Sequence, residues 1–194
     1  TGIEPSKMAS RIALNNKLNV LNYDMDYFFN NNSELYDIIH LKNVLEHVLN
    51  PVEIIQNCHR VLNQNGIIYI EVPNDYNLFQ RLGVKLFNNP KSWLAVPDHI
   101  NYFNFSTLKS LLTNHGFKIV KRDTTFPIYF LSLIGLNFIK YKQKGKKAHR
   151  IRMNFDLFLQ SNKLASIRRM IYQILSHLNL GRTIIYYAKK QEYK

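Results

Sequence analysis

Short apolar runs alternate with helix-period segments over the first two thirds of this chain, and that rhythm restricts its fold more than any other feature. It is the pattern of βαβ units feeding a mostly parallel sheet. Strands are expected near residues 2–4, 18–22, 37–41, 67–72, 117–123 and 183–189. The helices between them are well punctuated. Asn50 stands as an N-cap before Pro51, with Glu53 three residues after the cap, and this helix carries Val52, Ile55 and Leu62 before Gly66 stops it. A second helix is expected to be capped by Ser106, to present Leu108, Leu111 and Leu112, and to end at Gly116.

From residue 124 to about 182 the rhythm lengthens, with Leu164, Ile167, Ile171, Ile174 and Leu178 at helical spacing. This segment is expected to be an inserted helical subdomain or lid before the last strand. The whole then forms one domain, with a cofactor-binding core at 1–123, the insertion at 124–182 and a last strand at 183–190. The apolar run 126–139 is too short to span a bilayer and is expected to form a buried hairpin or lid helix rather than a membrane-surface segment. The basic stretch 140–152 is expected to be a mobile loop.

With 194 residues, 46% of them hydrophobic, there is material for one sizeable core. The net charge of +13 suits nucleic acid, an anionic membrane surface or an acidic substrate. Basic residues are nevertheless spread along the chain, amid abundant Asn, Ile and Tyr, and no RNA-binding module is recognisable. Nucleic acid is therefore not the expected partner, while peripheral membrane contact stays open. The lone cysteine, Cys58, excludes an internal disulfide and a cysteine-cluster zinc site. No charged-then-apolar leader stands at the start, so a reducing, cytoplasmic setting is expected. Thr1-Gly2-Ile3-Glu4 reads as the tail of a strand, and the expectation is a fragment of a longer chain.

An acidic residue at the carboxyl end of a Rossmann-type strand is placed to accept hydrogen bonds from ribose hydroxyls. Glu4, in G-I-E-P-S, fits that position. The strings Y-D-M-D, Y-D-I-I-H-L-K-N-V-L-E-H-V-L-N-P, R-V-L-N-Q-N-G-I-I-Y-I-E-V-P-N and D-H-I-N-Y-F-N-F-S-T-L-K-S-L-L-T-N-H-G-F follow in order. With G-I-E-P-S they resemble the class I S-adenosylmethionine (SAM) dependent methyltransferases, nearest to the ubiquinone-biosynthesis and sugar-modifying branch. T-I-I-Y-Y-A-K at residues 183–189 resembles that family's last, antiparallel strand. The resemblance implies a Rossmann-like sheet that lacks its first strand and the G-x-G-x-G loop following it.

Carried over, the resemblance implies that Glu4 binds the ribose diol, that Asp24 accepts the adenine amino group and that Met25 lies against the adenine ring. Lys42 and Asn43 follow a strand where the family approaches the methionine end of SAM, largely through its backbone. Glu46 and His47, in V-L-E-H-V, lie beside the cofactor, with His47 a candidate substrate contact, and Pro73 and Asn74 shape the pocket mouth. Where the acceptor is a hydroxyl a general base helps, and histidine has the pKa for it. His99, in P-D-H-I-N-Y-F, is the candidate base, with Tyr102 as its partner and Trp93 as a wall of the acceptor pocket. Each has a plainer role open to it: Asp24 as a strand-end cap, His99 with Asp98 as a fastening of the loop to the sheet, Trp93 as packing. His40, His47, His59 and Asp37 make no metal-ligand pattern, so no metal is expected. The implied activity is methyl transfer to a small-molecule or glycan-precursor acceptor. The alternatives are an RNA- or lipid-directed enzyme, and a non-catalytic remnant that serves as a binding partner.

Overall fold

The structure is a computed structural model and describes residues 1–161 and 164–191. In chain order its elements are β1 (Gly2–Ile3), α1 (Lys7–Asn15), β2 (Val20–Leu21), α2 (Met25–Asn31), β3 (Tyr36–Lys42), α3 (Pro51–Val61), β4 (Leu62–Pro73), α4 (Leu78–Phe87), α5 (Phe105–Asn114), β5 (Phe117–Thr124), α6 (Ile128–Leu133), a short 3-10 turn (Lys142–Lys144), α7 (Gly145–Ser161), α8 (Ala165–His177) and β6 (Thr183–Lys190). Every expected strand forms. β3 pairs with β4 in parallel, and β6 runs antiparallel between β4 and β5, giving the order β3-β4-β6-β5. β1 and β2 pair in parallel as a separate two-stranded sheet.

The expected sheet is therefore present but divided. Among the described residues no strand lies between β1 and β3, and a hollow of about 370 Å³ lies there, lined by Gly2 and Ile3 on one side and Ile38, Ile39, His40 and Leu41 on the other. Among the described residues β3 pairs on one edge only, and Ile38 is exposed.

Alternation along β4 builds the core. Ile68, Ile70 and Val72 point to one face and are sealed from solvent, together with Ile184, Tyr186 and Ala188 of β6. Against them pack Phe28 and Phe29 of α2, Ile54, Ile55, Cys58 and Val61 of α3, and Leu108 and Leu112 of α5. α3 begins as expected, Asn50 accepting from Glu53 N–H at 3.2 Å, and Ile55 is buried as expected with Ile54 beside it, but Val52 is exposed and Leu62 is the first residue of β4 rather than part of the helix. α5 is capped by Asn104 rather than Ser106. The Asn104 side chain accepts from the N–H groups of Ser106 and Thr107, and Thr107 Oγ1 reciprocates on Asn104 N–H, so the capping box begins two residues earlier.

Residues 124–182 hold α6, α7 and α8, with two differences from what the sequence suggests. The basic stretch 140–152 is not a loop: it forms the 3-10 turn and the first half of α7. The apolar stripe of α8 is not its buried face, since Ile167, Ile174 and Leu178 are exposed while Tyr172 and Ser176 are covered. α8 is oriented by polar fastenings, with Arg122 of β5 donating to Ser176 O and Asn179 Oδ1. The run 126–139 holds α6, whose Ile128 and Leu131 form a small cluster with Ala148 of α7. No helix among the described residues is long and apolar enough to cross a membrane.

Candidate functional site

A cavity of about 420 Å³ opens past the carboxyl ends of β3 and β4, where ligands of open α/β sheets bind. The expected residues Lys42, Asn43, His47, Pro73, Asn74, Trp93 and His99 all line it. At the end of β3 the backbone turns sharply. Asn43 has a left-handed φ of 51° and donates its N–H to Glu71 O at 2.8 Å, which directs residues 44–48 across the strand ends. The Lys42 ammonium lies 3.5 Å from Glu71 Oε2, which also accepts from Tyr69 OH.

The loop bearing His99 is stitched onto that turn. Glu46 O accepts from Ile100 N–H and Asn101 N–H at 2.9 and 3.1 Å. The Asn101 amide donates to Leu45 O and Val48 O at 3.0 and 2.6 Å. His47 Nδ1 lies 2.7 Å from Asp98 O. Segments about fifty residues apart in sequence thus meet at Glu46, His47 and His99, whose ligating atoms all lie within 4.8 Å of one another. The rings of His47 and His99 meet edge to face at 4.9 Å. Burial, then the neighbouring His47, lowers the His99 pKa, with Asp98 opposing. Burial raises that of Glu46.

Tyr102 stands behind this cluster. Its hydroxyl donates to His99 O at 3.0 Å, and it does not line the cavity, so it holds the His99 backbone in place. Trp93 is buried and packs on Tyr76 with ring centres 5.3 Å apart. Glu4 and Asp24 sit past the ends of β1 and β2 and do not line this cavity; Met25 opens the next helix and lines the hollow between the sheets.

Their carboxylate oxygens nonetheless suit the hydroxyl and amino donors of a nucleoside. Glu4 takes Ser6 N–H on Oε1 at 2.8 Å, and its other oxygen has no hydrogen-bond partner among the described residues. Asp24 caps α2 through Oδ1, 2.7 Å from Tyr27 N, which likewise leaves one oxygen over.

Three cavity residues escaped sequence reasoning. Asp75 is 3% exposed and accepts from Phe103 N–H at 3.3 Å. Burial pushes its carboxyl up to about 7, with the Phe103 hydrogen bond opposing and Glu46 adding to the rise. The signal lay in P-N-D, just past the strand carrying the pocket's Pro73 and Asn74. Arg152 of α7 and Arg182, just before β6, bring guanidinium groups to the same cavity without an ion-pair partner among the described residues. Nothing local in the sequence marks them, because the insertion's fold sets their position.

Residues 1–122 match a family model described as a methyltransferase domain. A ubiquinone biosynthesis O-methyltransferase from Rickettsia canadensis (strain McKiel) is 27% identical over 149 residues, 75% of this chain and 57% of that protein. The chain thus spans little more than half the length of that relative. A SAM dependent methyltransferase from Archaeoglobus fulgidus superposes with a TM-score of 0.57 at 17% identity, covering 97% of this chain and 75% of that one. The O-methyltransferase from a trans-AT PKS multienzyme of Brevibacillus brevis, in complex with S-adenosyl-L-homocysteine, gives 0.51 at 15% identity over 98% and 58% of the two chains. At these identities the structural likeness establishes the fold.

Proposed function

The chain belongs to the methyltransferase domain family, and from that premise we propose that it is a SAM-dependent methyltransferase whose acceptor, a small molecule or glycan precursor, enters the cavity beyond β3 and β4. The observation that carries this reading is the convergence on one cavity of residues from the two motif segments, 42–47 and 93–99, together with Asp75. Bound SAM supplies an electrophilic methyl carbon. Glu4 would accept from the ribose hydroxyls through its free oxygen, Asp24 would take the adenine amino group, and Met25 would lie near the base. The turn at Asn43 offers backbone groups at the methionine end.

The acceptor is held by shape and charge, and positioning of this kind supplies much of the rate of an in-line displacement. Trp93 and Tyr129 give apolar walls. Arg152 and Arg182 suit a phosphate or carboxylate on the acceptor, which is the chemistry of a glycan precursor carried on phosphate. A proton leaving an acceptor hydroxyl passes to His99 or to Asp75, whose raised carboxyl pKa lies near neutral pH. The protein works in the cytoplasm, with the basic helical insertion available to an anionic surface.

The test is incubation of the protein with methyl-labelled SAM and a polar metabolite fraction, before and after phosphatase treatment. Labelled product that forms and falls away after phosphatase is the expected result. Label transferred only to RNA or only to lipid overturns the acceptor class. No transfer to any fraction, together with no binding of S-adenosylhomocysteine, overturns the enzyme reading.

A further inference from the structure

Glu46, His47 and His99 bring one potential ligand atom each within 4.8 Å of the others. The Glu46 carboxylate is 1% exposed, and its Oε2 has no hydrogen-bond partner. Its Oε1 lies 3.9 Å from His47 Nε2, too far for a hydrogen bond. His47 Nδ1 faces the Asp98 carbonyl at 2.7 Å. A carbonyl can only accept, so Nδ1 carries the proton, and in the neutral ring Nε2 turns a lone pair toward the carboxylate. His99 Nδ1 is enclosed and also without a partner. Glu46 is buried, His99 half-buried and His47 exposed toward the cavity, and a cation among the three ligand atoms would satisfy the unpartnered Glu46 oxygen.

We propose that Glu46, His47 and His99 bind a divalent transition-metal ion of the zinc and cobalt type, which leaves coordination positions open toward the acceptor cavity. Two imidazoles and one carboxylate suit such ions better than magnesium or calcium, which favour all-oxygen sets. A ligating histidine commonly donates its other N–H to a backbone carbonyl, and His47 does so to Asp98. Metal–ligand bonds of about 2.0–2.2 Å need the three atoms to draw closer by roughly an ångström. The His99 loop reaches the turn through hydrogen bonds from Ile100 and Asn101 and allows such an adjustment.

Three protein ligands leave room for an acceptor oxygen, which the ion would orient and polarise. That role rests on the methyltransferase reading; metal binding itself does not. The sequence hid this site because its ligands come from two loops, and the histidines at 40, 47 and 59 form no ligand pattern along the chain.

The test is titration of chelator-stripped protein with Co²⁺, followed by visible absorption, then displacement by Zn²⁺. Saturation at one equivalent is expected. Glu46→Gln and His99→Ala should each weaken Co²⁺ binding by about tenfold or more, while His115→Ala, at the far end of α5, leaves it unchanged. If a variant fails to fold, the wild-type protein still decides: the ring ¹⁵N resonances of His47 and His99 shift on Co²⁺ addition, and those of His115 do not. No stoichiometric Co²⁺ spectrum, or a spectrum indifferent to both variants, overturns the site, as do unmoved His47 and His99 resonances. S-adenosylhomocysteine binding measured on the same samples separates the two claims. Its retention without Co²⁺ binding removes only the metal, and Co²⁺ binding without it removes only the methyltransferase reading.

Discussion

Asp75 keeps its carboxyl in a space it shares with Glu46, held by Phe103 N–H and shielded from water. Its ordinary value of 3.8 rises to about 7 in the fold. Below the lower value the group is protonated in folded and unfolded chains alike, and its contribution is fully present. As pH climbs toward the folded value the unfolded chain ionises first, so stability is lost across that interval. In chelator-treated protein, urea midpoints should fall between about pH 4 and about pH 7, and Asp75→Asn should flatten that fall. An equal slope in the variant would place the titration elsewhere. Asn101 makes a second prediction: Asn101→Ala strands Leu45 O and Val48 O and should cost about 2 kcal/mol by chemical denaturation. His47, His99, Lys42 and Asn43 were legible in the sequence because each sits in a string with a chemical meaning. Asp75 was not, because its raised pKa comes from burial in the folded chain, against the opposing hydrogen bond from Phe103, and burial is not written locally.

At the scale of elements, strand positions were legible because the apolar runs are short and alternate with helix-period segments. What failed was anything that tertiary packing decides. The stripe Ile167, Ile174 and Leu178 obeys helical spacing yet faces solvent, since α8 is held by Arg122 through Ser176 and Asn179. The basic stretch 140–152 looked like a loop, but α7 buries its Ala148 against Ile128 and Leu131 and orders it.

Gly181, at the turn into β6, shows how tightly the insertion meets the sheet. A Cβ there would lie 1.6 Å from Thr124 Oγ1. Gly181→Ala should therefore cost about 1–3 kcal/mol, whereas Asn104→Ala, which removes a cap, should cost about 1 kcal/mol. Thermal unfolding of the two variants checks the order, and equal shifts would contradict the packing at that turn.

The whole molecule divides into a well-buried sheet and a slighter one. β4 and β6 are paired on both edges, while β1 and β2 are two residues each and pair only with one another. Amide exchange should be slowest at Ile68, Ile70, Ile184 and Tyr186 and fastest along β1 and β2. The parallel order and the antiparallel last strand were legible from the βαβ rhythm and the motif order. A sheet lacking one strand was expected from the sequence; where the gap falls, between β1 and β3, came only from the pairing among the described residues.

Glu4 follows a strand of the smaller sheet and the cavity lies at the ends of β3 and β4 of the larger one, so in the proposed function the cofactor reaches from one to the other. The most direct test is calorimetric titration of S-adenosylhomocysteine into the protein and into Glu4→Ala. One saturable site is expected, weakened about tenfold in the variant by loss of hydrogen bonds to a charged acceptor, with the folding midpoint unchanged. Absence of saturable binding to the wild-type protein, or equal affinity in Glu4→Ala, would contradict it.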